Sequence, residues 1–197
     1  MSEVSRNPSC KVVILGNSGV GKTSLINRWT TGTWSSTVKP TIGANHQRKT
    51  VQLSETHVDV FVWDTAGQEQ FQSLTPLYAR SAACAIITAS ITDAMSFEAI
   101  QTWIELLKNA CEVMPPLVLA VNKIDLLNQS GVKTESEIET EYGSLFSAVF
   151  FVSAQSGEAV ENAFTFAAQK GYEFMVGNQP IKAQPLEPKK EDKKSCC

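Results

Sequence analysis

The stretch GNSGVGKT at residues 16–23 decides how the rest of the chain is interpreted. It consists of a glycine, four variable positions and then Gly-Lys-Thr, which is the pattern of a phosphate-binding loop, the P-loop. Residues 11–15 (KVVIL) form an apolar, β-branched run typical of a buried strand, and residues 24–29 (SLINRW) suit a first helix. Because the pattern requires this order of strand, loop and helix, the stretch predicts a site for the phosphates of a nucleotide.

Each part of the loop has a physical role toward a phosphate. Gly16 and Gly21 permit backbone angles that a Cβ would forbid, so that successive N–H groups can turn inward around the anion. The positive end of the following helix dipole lies beneath the same anion. Lys22 adds a positive charge near the β- and γ-phosphates, and the Thr23 hydroxyl is suited to ligate Mg²⁺. The alternative is a chance glycine-rich turn, but average composition produces this pattern in only about 1 of 100 chains this long.

The composition is typical of one globular domain. The 197 residues are enough for a sizeable core, and no apolar run approaches the ~20 residues of a membrane span. A net charge of −3 does not indicate nucleic-acid binding. Cys10, Cys84 and Cys111 lie in apolar segments, which favours buried thiols in a reducing compartment over disulfides.

Strand and helix patterns alternate along the chain. The predicted strands are residues 11–15, 47–53, 57–63, 82–91, 117–121 and 148–152. The predicted helices are residues 24–29, a helix from Phe97 to Cys111 that ends before Pro115-Pro116, residues 135–142 and residues 160–171. This alternation predicts an α/β fold with a mostly parallel six-stranded sheet, one antiparallel edge strand and helices on both faces.

The ends of the chain differ in composition from its centre. Residues 1–9 are polar and are predicted to be disordered, and residues 10–175 form the predicted domain. Residues 176–197 contain three prolines and five lysines with few large apolar residues. Such a segment cannot offset its ordering entropy, so we expect a flexible tail.

Within the domain, residues 30–43 are rich in Thr, Ser, Gly and Pro and are predicted to be a long exposed loop.

Polar residues follow the carboxyl ends of several predicted strands, where open α/β sheets bind ligands. Asp64 follows one strand and can hold Mg²⁺ opposite the P-loop, usually through water. Gly67 leaves its backbone N–H free to approach a γ-phosphate, and Gln68 has a donor and an acceptor that suit it to orient an attacking water. Without the P-loop, this Asp-Thr-Ala-Gly stretch would be interpreted as an ordinary turn.

The stretch Asn122-Lys123-Ile124-Asp125 is the predicted base-reading element. The Asp125 carboxylate can accept hydrogen bonds from the N1–H and N2–H₂ groups of guanine, whereas adenine presents a lone pair at N1 and no amine. An unpaired buried polar group costs about 1–3 kcal/mol, so this element favours GTP over ATP. Asn122 can either bond the base edge or brace neighbouring loops, and the Lys123 stem can lie against the ring. A loop with an incidental Lys–Asp pair is the alternative.

In this order and spacing, residues 16–23, Thr41, residues 64–69, residues 122–125 and Ser153-Ala154 resemble the five G motifs of Ras-superfamily small GTPases. The resemblance covers about residues 10–175 and implies a P-loop NTPase G domain with GTP/GDP and Mg²⁺ as ligands. It implies Mg²⁺ ligation by Thr23, Thr41 and Asp64, and catalysis by Gln68. The implied nucleotide contacts are Asn17, Ser18, Gly19, Val20, Gly21, Lys22, Thr23, Ser24, Trp34, Thr41, Gly67, Asn122, Lys123, Asp125, Ser153 and Ala154.

Some of these roles come from the resemblance alone. Thr41 would touch the γ-phosphate, and Trp34 would pack across the guanine. The Ala154 N–H would lie near guanine O6. The sequence departs from the family at Gln155, where a lysine is usual.

Within the superfamily the chain is most similar to the Rab branch. The likeness is carried by residues 41–43, residues 63–69, the segment with Tyr78 and Arg80, and the terminal Cys196-Cys197. The sequence departs from the Rab pattern at His46, Leu77, Ser81 and Cys84. His46 is expected to alter the effector-reading surface that it forms with Trp63 and Tyr78, although a plain exposed strand residue is an equal alternative. The chain is therefore identified as a divergent member of the Rab branch.

The Rab resemblance implies a GTP/GDP switch in vesicle traffic, with slow hydrolysis. The implied partners are a guanine nucleotide exchange factor, a GTPase-activating protein, GTP-state effectors and a prenyl-dependent escort protein. The implied location is the cytoplasmic face of intracellular membranes, cycling with the cytosol, with a monomeric G domain.

The two terminal cysteines resemble the Rab substrate for double geranylgeranylation. A CaaX box is excluded because Lys194 stands four residues from the end. Two lipids give stable membrane residence, whereas one gives marginal anchoring. The alternative is that Cys196 and Cys197 are unmodified exposed thiols.

Two other functions remain open from the sequence. A small-molecule P-loop kinase generally needs several arginines that clamp two nucleotides, and the four scattered arginines (Arg6, Arg28, Arg48 and Arg80) fit this poorly. None of the four is assigned to the γ-phosphate. A non-hydrolysing scaffold is disfavoured because Lys22, Thr23, Thr41 and Gln68 are all present.

Overall fold

The structure, a computed structural model, describes residues 7–54, 56–66 and 74–178. The chain there forms one sheet of six strands. In chain order the strands are β1 (Ser9–Leu15), β2 (Ala44–Leu53), β3 (Thr56–Thr65), β4 (Cys84–Ser90), β5 (Leu117–Asn122) and β6 (Ala148–Phe151).

The spatial order of the strands is β2-β3-β1-β4-β5-β6. β2 pairs antiparallel with β3, and the other four pairings are parallel. A short turn leads from β2 into β3, whereas parallel neighbours need a longer crossover connection. The predicted α/β fold, with a mostly parallel six-stranded sheet and one antiparallel edge strand, is confirmed.

Helices lie on both faces of the sheet, as predicted. They are α1 (Lys22–Thr31), α2 (Thr75–Ala79), α3 (Ala94–Glu98), α4 (Ile100–Ala110), α5 (Leu127–Ser130), α6 (Glu135–Tyr142) and α7 (Val160–Gly177). One core layer contains α1 and α7, where the rings of Trp29 and Phe164 stack at 4.8 Å. The other contains α3, α4 and α6, with Phe97 and Trp103 fully buried. Over the described residues, no helix is both long enough and apolar enough to cross a bilayer.

The central strands explain why the ligand edge is well defined. Every residue of β4 and β5 is buried, because helices cover both faces of these strands. Strands β1, β3, β4, β5 and β6 run parallel, so their carboxyl ends meet at one edge of the sheet. The chain leaves that edge at Gly16 after β1, at Ala66 after β3 and at Val152 after β6.

Several element boundaries differ from those predicted. The single helix expected from Phe97 to Cys111 is two helices that meet at Ala99, whose N–H bonds the carbonyls of both Met95 and Phe97 in a tightened turn. The second helix ends at Ala110 because Cys111 is extended (φ −109°, ψ 133°). β1 begins at Ser9, two residues before the predicted strand 11–15, and α7 runs to Gly177, six residues beyond the predicted helix 160–171.

Candidate nucleotide-binding site

The carboxyl edge of the sheet carries a cleft of about 440 Å³. It is bordered at one end by the P-loop and at the other by the loops that follow β5 and β6. The predicted site residues that line this cleft are Ser18, Gly19, Gly21, Lys22, Thr23, Ser24, Trp34, Thr41, Asn122, Lys123, Asp125 and Ala154. The structure therefore brings together residues that are up to 136 positions apart (18 to 154) in the sequence.

Two glycines of the P-loop are required by their surroundings. Gly16 has φ 141°, and a Cβ there would lie 2.3 Å from the Thr88 carbonyl oxygen. Gly21 has φ 98°, and a Cβ there would lie 2.3 Å from Nδ2 of Asn122. The loop thus passes directly against β4 and against the base-reading element. Helix α1 begins after Gly21 with no acidic residue in its first turn, which leaves its positive end suited to an anion.

Lys22 is a buried cation at the mouth of this loop. Its side chain is 6% exposed, and Nζ donates to the carbonyl oxygens of Gly16 (2.7 Å) and Asn17 (2.9 Å). Burial lowers the pKa of Lys22 to about 8, and the nearby negative charge of Asp64 opposes part of that shift. A phosphate would supply the negative charge that these neutral carbonyls do not.

Three side-chain oxygens meet next to Lys22. Oγ1 of Thr23 lies 2.9 Å from Oγ1 of Thr41 and donates to Oδ2 of Asp64 at 2.7 Å, and Thr41 donates to the same Oδ2 at 3.1 Å. Burial raises the pKa of Asp64, and the two hydroxyls and the charge of Lys22 oppose that rise.

This oxygen cluster fits a magnesium ion. Asp64 is 4% exposed, and its buried Oδ1 receives no hydrogen bond from any residue that the structure describes. A buried carboxylate oxygen without a donor is unfavourable unless a cation or its water supplies the partner. Hydroxyl and carboxylate oxygens are also the hard ligands that Mg²⁺ prefers. The three residues predicted to hold the metal are therefore assembled, with one orphaned acceptor among them.

The base end of the cleft is built from hydrogen bonds between loops. Nδ2 of Asn122 donates to the Val20 carbonyl (2.8 Å), and Oδ1 of Asn122 accepts from the Ala154 N–H (3.1 Å). Oγ of Ser153 donates to Oδ1 of Asp125 at 2.6 Å. Of the two roles open to Asn122 from the sequence, the structure thus shows the bracing of neighbouring loops. Lys123 adopts φ 68°, a left-handed conformation at the start of the turn that carries Asp125.

The loop between α1 and β2 forms the outer wall of the cleft. Of the predicted loop 30–43, Thr30 and Thr31 belong to α1, whereas residues 33–43 have no regular secondary structure and are mostly exposed. Trp34 lines the cleft with 40% of its surface exposed. The far end of the loop is held by Thr41, through its hydroxyl contacts, and by the Gly43 carbonyl, which accepts from the Ala66 N–H at 2.9 Å.

The side chain of Asn17 points away from the cleft. Its Oδ1 accepts from Nε1 of Trp103 at 3.1 Å, and its Nδ2 donates to the Met95 carbonyl at 3.4 Å. Trp103 was not predicted to take part in the site, because nothing in the helical pattern of residues 97–111 points to a contact with the P-loop. Arg28 was also left without a role, although it bonds the loop that contains Ala154. Neither residue belongs to a local motif, so no signal in one sequence distinguishes them.

A separate aromatic surface lies beside the site. The ring of Trp63 stacks with His46 at 5.2 Å and with Tyr78 at 5.9 Å. Nζ of Lys11 lies 4.9 Å from the Trp63 ring. His46 is thus part of one continuous stack with the two residues predicted to accompany it.

Other predicted residues lie outside the part of the chain that the structure describes. They are Gly67, Gln68, Cys196 and Cys197. Residues 1–6 and 179–197 of the predicted disordered N-terminus and tail also lie outside it. These predictions stay predictions.

The fold and the cleft define a P-loop nucleotide-binding domain with an oxygen cluster that fits a magnesium ion at one end and the carboxylate of Asp125 at the other. Comparison with known proteins gives the family. The Ras family model matches residues 11–173, so the chain belongs to the Ras family, in which it is a divergent Rab-type small GTPase. Members of that family bind GTP and GDP with Mg²⁺ and hydrolyse GTP.

Relatives in distant organisms align over most of the chain. The GTP-binding protein ypt5 of Schizosaccharomyces pombe is 38% identical over 81% of this chain and 76% of its own length. The Ras-related protein Rab7A of Mesembryanthemum crystallinum is also 38% identical, over 89% of this chain and 86% of its own. The Ras-related protein Rab-7b of Paramecium octaurelia is 34% identical over 95% of both chains.

Proposed function

We propose that this protein is a GTP/GDP switch that hydrolyses GTP slowly and regulates vesicle traffic through partners that bind its GTP state. One observation carries the proposal: a single cleft has a buried ammonium and a hydroxyl–carboxylate cluster at one end and Asp125 at the other. A cleft of about 440 Å³ with a cation and an oxygen cluster at one end and a carboxylate at the other suits a nucleotide with its phosphates and base held apart.

The choice of guanine rests on Asp125. Its Oδ1 accepts from Ser153, which orients the carboxylate in the cleft. Guanine offers N1–H and N2–H₂ donors to such a carboxylate, whereas adenine offers an acceptor at N1. The mismatch with adenine leaves a charged group facing a lone pair, so we expect guanine nucleotides to bind far more tightly.

The metal would be held by Thr23 and Thr41, with Asp64 acting through a water. When bound, Mg²⁺ neutralises charge on the β- and γ-phosphates. Lys22 binds the same phosphates, and the loop amides orient them. Thr41 connects this end to the outer loop, so we expect residues 33–43 to respond to the presence of a γ-phosphate.

Slow hydrolysis is supported by the positions of two arginines. Arg28 bonds loop carbonyls, and Arg48 pairs with Asp59 at 2.7 Å. Both guanidinium groups are therefore engaged away from the phosphates. We expect Gln68 to orient the attacking water, and a GTPase-activating protein to add up to about 10⁵-fold by supplying a charge in trans.

The cellular role completes the proposal. We expect an exchange factor to act on the bound nucleotide and effectors to contact the stack of His46, Trp63 and Tyr78 together with the outer loop. Double prenylation at Cys196 and Cys197, with an escort protein for the lipids, would place the protein on the cytoplasmic face of intracellular membranes, cycling with the cytosol. The G domain is expected to act as a monomer.

The test is nucleotide binding and single-turnover hydrolysis by the full chain with Mg²⁺. We expect tight GTP and GDP binding, at least a hundredfold weaker ATP binding, and slow release of phosphate. Gln68→Leu should keep GTP affinity and lose most hydrolysis. Equal affinity for GTP and ATP would overturn the proposal, and transfer of the γ-phosphate to a small-molecule acceptor would favour a kinase. An unchanged rate in Gln68→Leu would remove that residue from catalysis.

A further inference from the structure

Arg28 is the least expected residue near the cleft. It lies in the second half of α1, half-buried, and its guanidinium donates three hydrogen bonds to backbone carbonyls. Nε donates to Ala154 at 2.8 Å, Nη2 to Gln155 at 2.5 Å and Nη1 to Gly32 at 2.6 Å. All three nitrogens of one planar group thus donate to backbone carbonyls.

Two of these carbonyls belong to the loop after β6, residues 153–157, which we call the base loop. Ala154 is held from both sides, because its N–H donates to Asn122 and its carbonyl accepts from Arg28. The loop also passes closely over the arginine stem: Gly157 has φ 90°, and a Cβ there would lie 3.5 Å from Cδ of Arg28.

Arg28 completes a set of connections among the P-loop, Asn122 and the base loop. Asn122 bonds the P-loop through the Val20 carbonyl and the base loop through Ala154. Helix α1 starts at the end of the P-loop and carries Arg28, which returns to Ala154. Asn122 therefore holds the P-loop and the base loop together, and Arg28 holds the base loop to α1.

We propose that Arg28 is a positioning residue that sets the lifetime of the bound nucleotide by fixing the base loop. This inference rests on the proposed guanine-nucleotide function. Arg28 bonds the base loop and does not line the cleft, so it acts through the position of the Ala154 N–H and of Ser153, which donates to Asp125. Loss of these bonds lets the base loop open, and the nucleotide leaves faster.

A lysine cannot replace this arginine. The guanidinium presents its donors in a fixed plane and reaches three carbonyls at once, whereas an ammonium is a point charge at the end of a flexible stem. If only the positive charge mattered, arginine and lysine at position 28 would give the same rate of GDP release. Comparison of the two residues therefore separates a geometric role from an electrostatic one.

The third contact links the base loop to the outer loop. Gly32 follows α1 and directly precedes the outer loop, residues 33–43, which contains Thr41. A partner that pulls the outer loop away would break the hydrogen bond from Nη1 to Gly32. The hydrogen bond from Arg28 to the Ala154 carbonyl would then weaken. Arg28 thereby connects the outer loop to the base loop.

The experiment measures dissociation of labelled GDP from the full chain into excess unlabelled GDP at fixed Mg²⁺. We expect Arg28→Ala to release GDP at least about tenfold faster, since it loses hydrogen bonds from a charged donor. Arg28→Lys should resemble Arg28→Ala, and it carries the test if the alanine variant does not fold. Arg48→Ala is the matched control, because its guanidinium pairs with Asp59 and it does not line the cleft, and it should release GDP at the wild-type rate.

Two further measurements distinguish positioning from general destabilisation. The association rate constant should stay within about threefold, so that the change is in dissociation. Amide hydrogen exchange should rise at Ala154–Gly157 in Arg28→Ala and not along β4. A wild-type release rate in Arg28→Ala, or full rescue by Arg28→Lys, would overturn the inference. Failure of the wild-type chain to bind GDP would instead overturn the proposed function.

Discussion

The two ends of the cleft are built on different principles. At the phosphate end, the ammonium of Lys22 and the carboxylate of Asp64 are both almost fully buried and are bonded to neutral groups. At the base end, Asp125 is exposed to the cleft, and buried amide and hydroxyl groups fix the loops around it. One end concentrates charge, and the other fixes geometry.

The difference predicts which property each end controls. Burial shifts the pKa of Lys22 down and that of Asp64 up, so both ions are held in an environment that disfavours them. A phosphate and a metal ion relieve that cost, and the phosphate end should therefore dominate affinity. At the base end Asp125 is exposed and carries no comparable burial cost, so this end should contribute less to affinity and should control which base binds and how long it stays.

The largest effect is expected from removing the buried cation. Lys22→Met keeps the length of the side chain and should weaken GTP and GDP binding about a thousandfold, because charge-assisted bonds to phosphate are worth about 1.5–3 kcal/mol each. Titration calorimetry with Mg²⁺ present measures the change. Lys49→Met is the matched control, since Lys49 bonds Glu161 and the Trp29 carbonyl away from the cleft. If Lys22→Met lost less than tenfold in GTP and GDP affinity, the phosphate end would not be the main source of affinity.

A smaller effect, but a change of preference, is expected at the base end. Asp125→Asn places amide donors opposite those of guanine and should weaken GDP binding about a hundredfold. Xanthine has a carbonyl where guanine has its amine, so the variant should gain affinity for xanthosine diphosphate. Competition between the two nucleotides measures this preference, with Asp59→Asn, a β3 carboxylate bonded to Arg48 and Thr50, as control. Equal losses for both nucleotides would show that Asp125 does not read the base.

The same contrast explains what could be predicted from the sequence. The P-loop, Asp64 and the stretch from Asn122 to Asp125 are local patterns, each next to a strand whose apolar run is itself local. Parallel strands bring their carboxyl ends together, so the cleft follows once the strands are recognised. The antiparallel edge strand was predictable for the same reason, because a short turn joins it to its neighbour.

The long-range hydrogen bonds that hold the loops of the cleft in place could not be predicted in this way. Arg28 bonds a residue 126 positions away, and Trp103 bonds Asn17 across 86 positions. Helical periodicity indicates the face on which such a residue lies but not the atom that it meets. The break at Ala99 was missed for a related reason: the apolar spacing continues through it, and only the hydrogen bonds of the turn reveal it.

The smallest predicted effect comes from the titration of Lys22. Its pKa is about 8 in the free protein, and a bound phosphate raises it by favouring the charged form. The complex then binds more protons than the free protein, so affinity is fully present well below pH 8 and falls as the pH rises further. GDP affinity should be about halved at pH 8 and should fall about tenfold below its low-pH value by pH 9.

The control for this titration is Lys22→Arg. A guanidinium stays charged throughout this range, so the variant should bind more weakly than wild type but with a flat profile between pH 7 and 9. A parallel decline in both proteins would assign the pH dependence to the nucleotide or to another group. A decline in the wild type alone would assign the pH dependence of affinity to the one buried ammonium at the phosphate end.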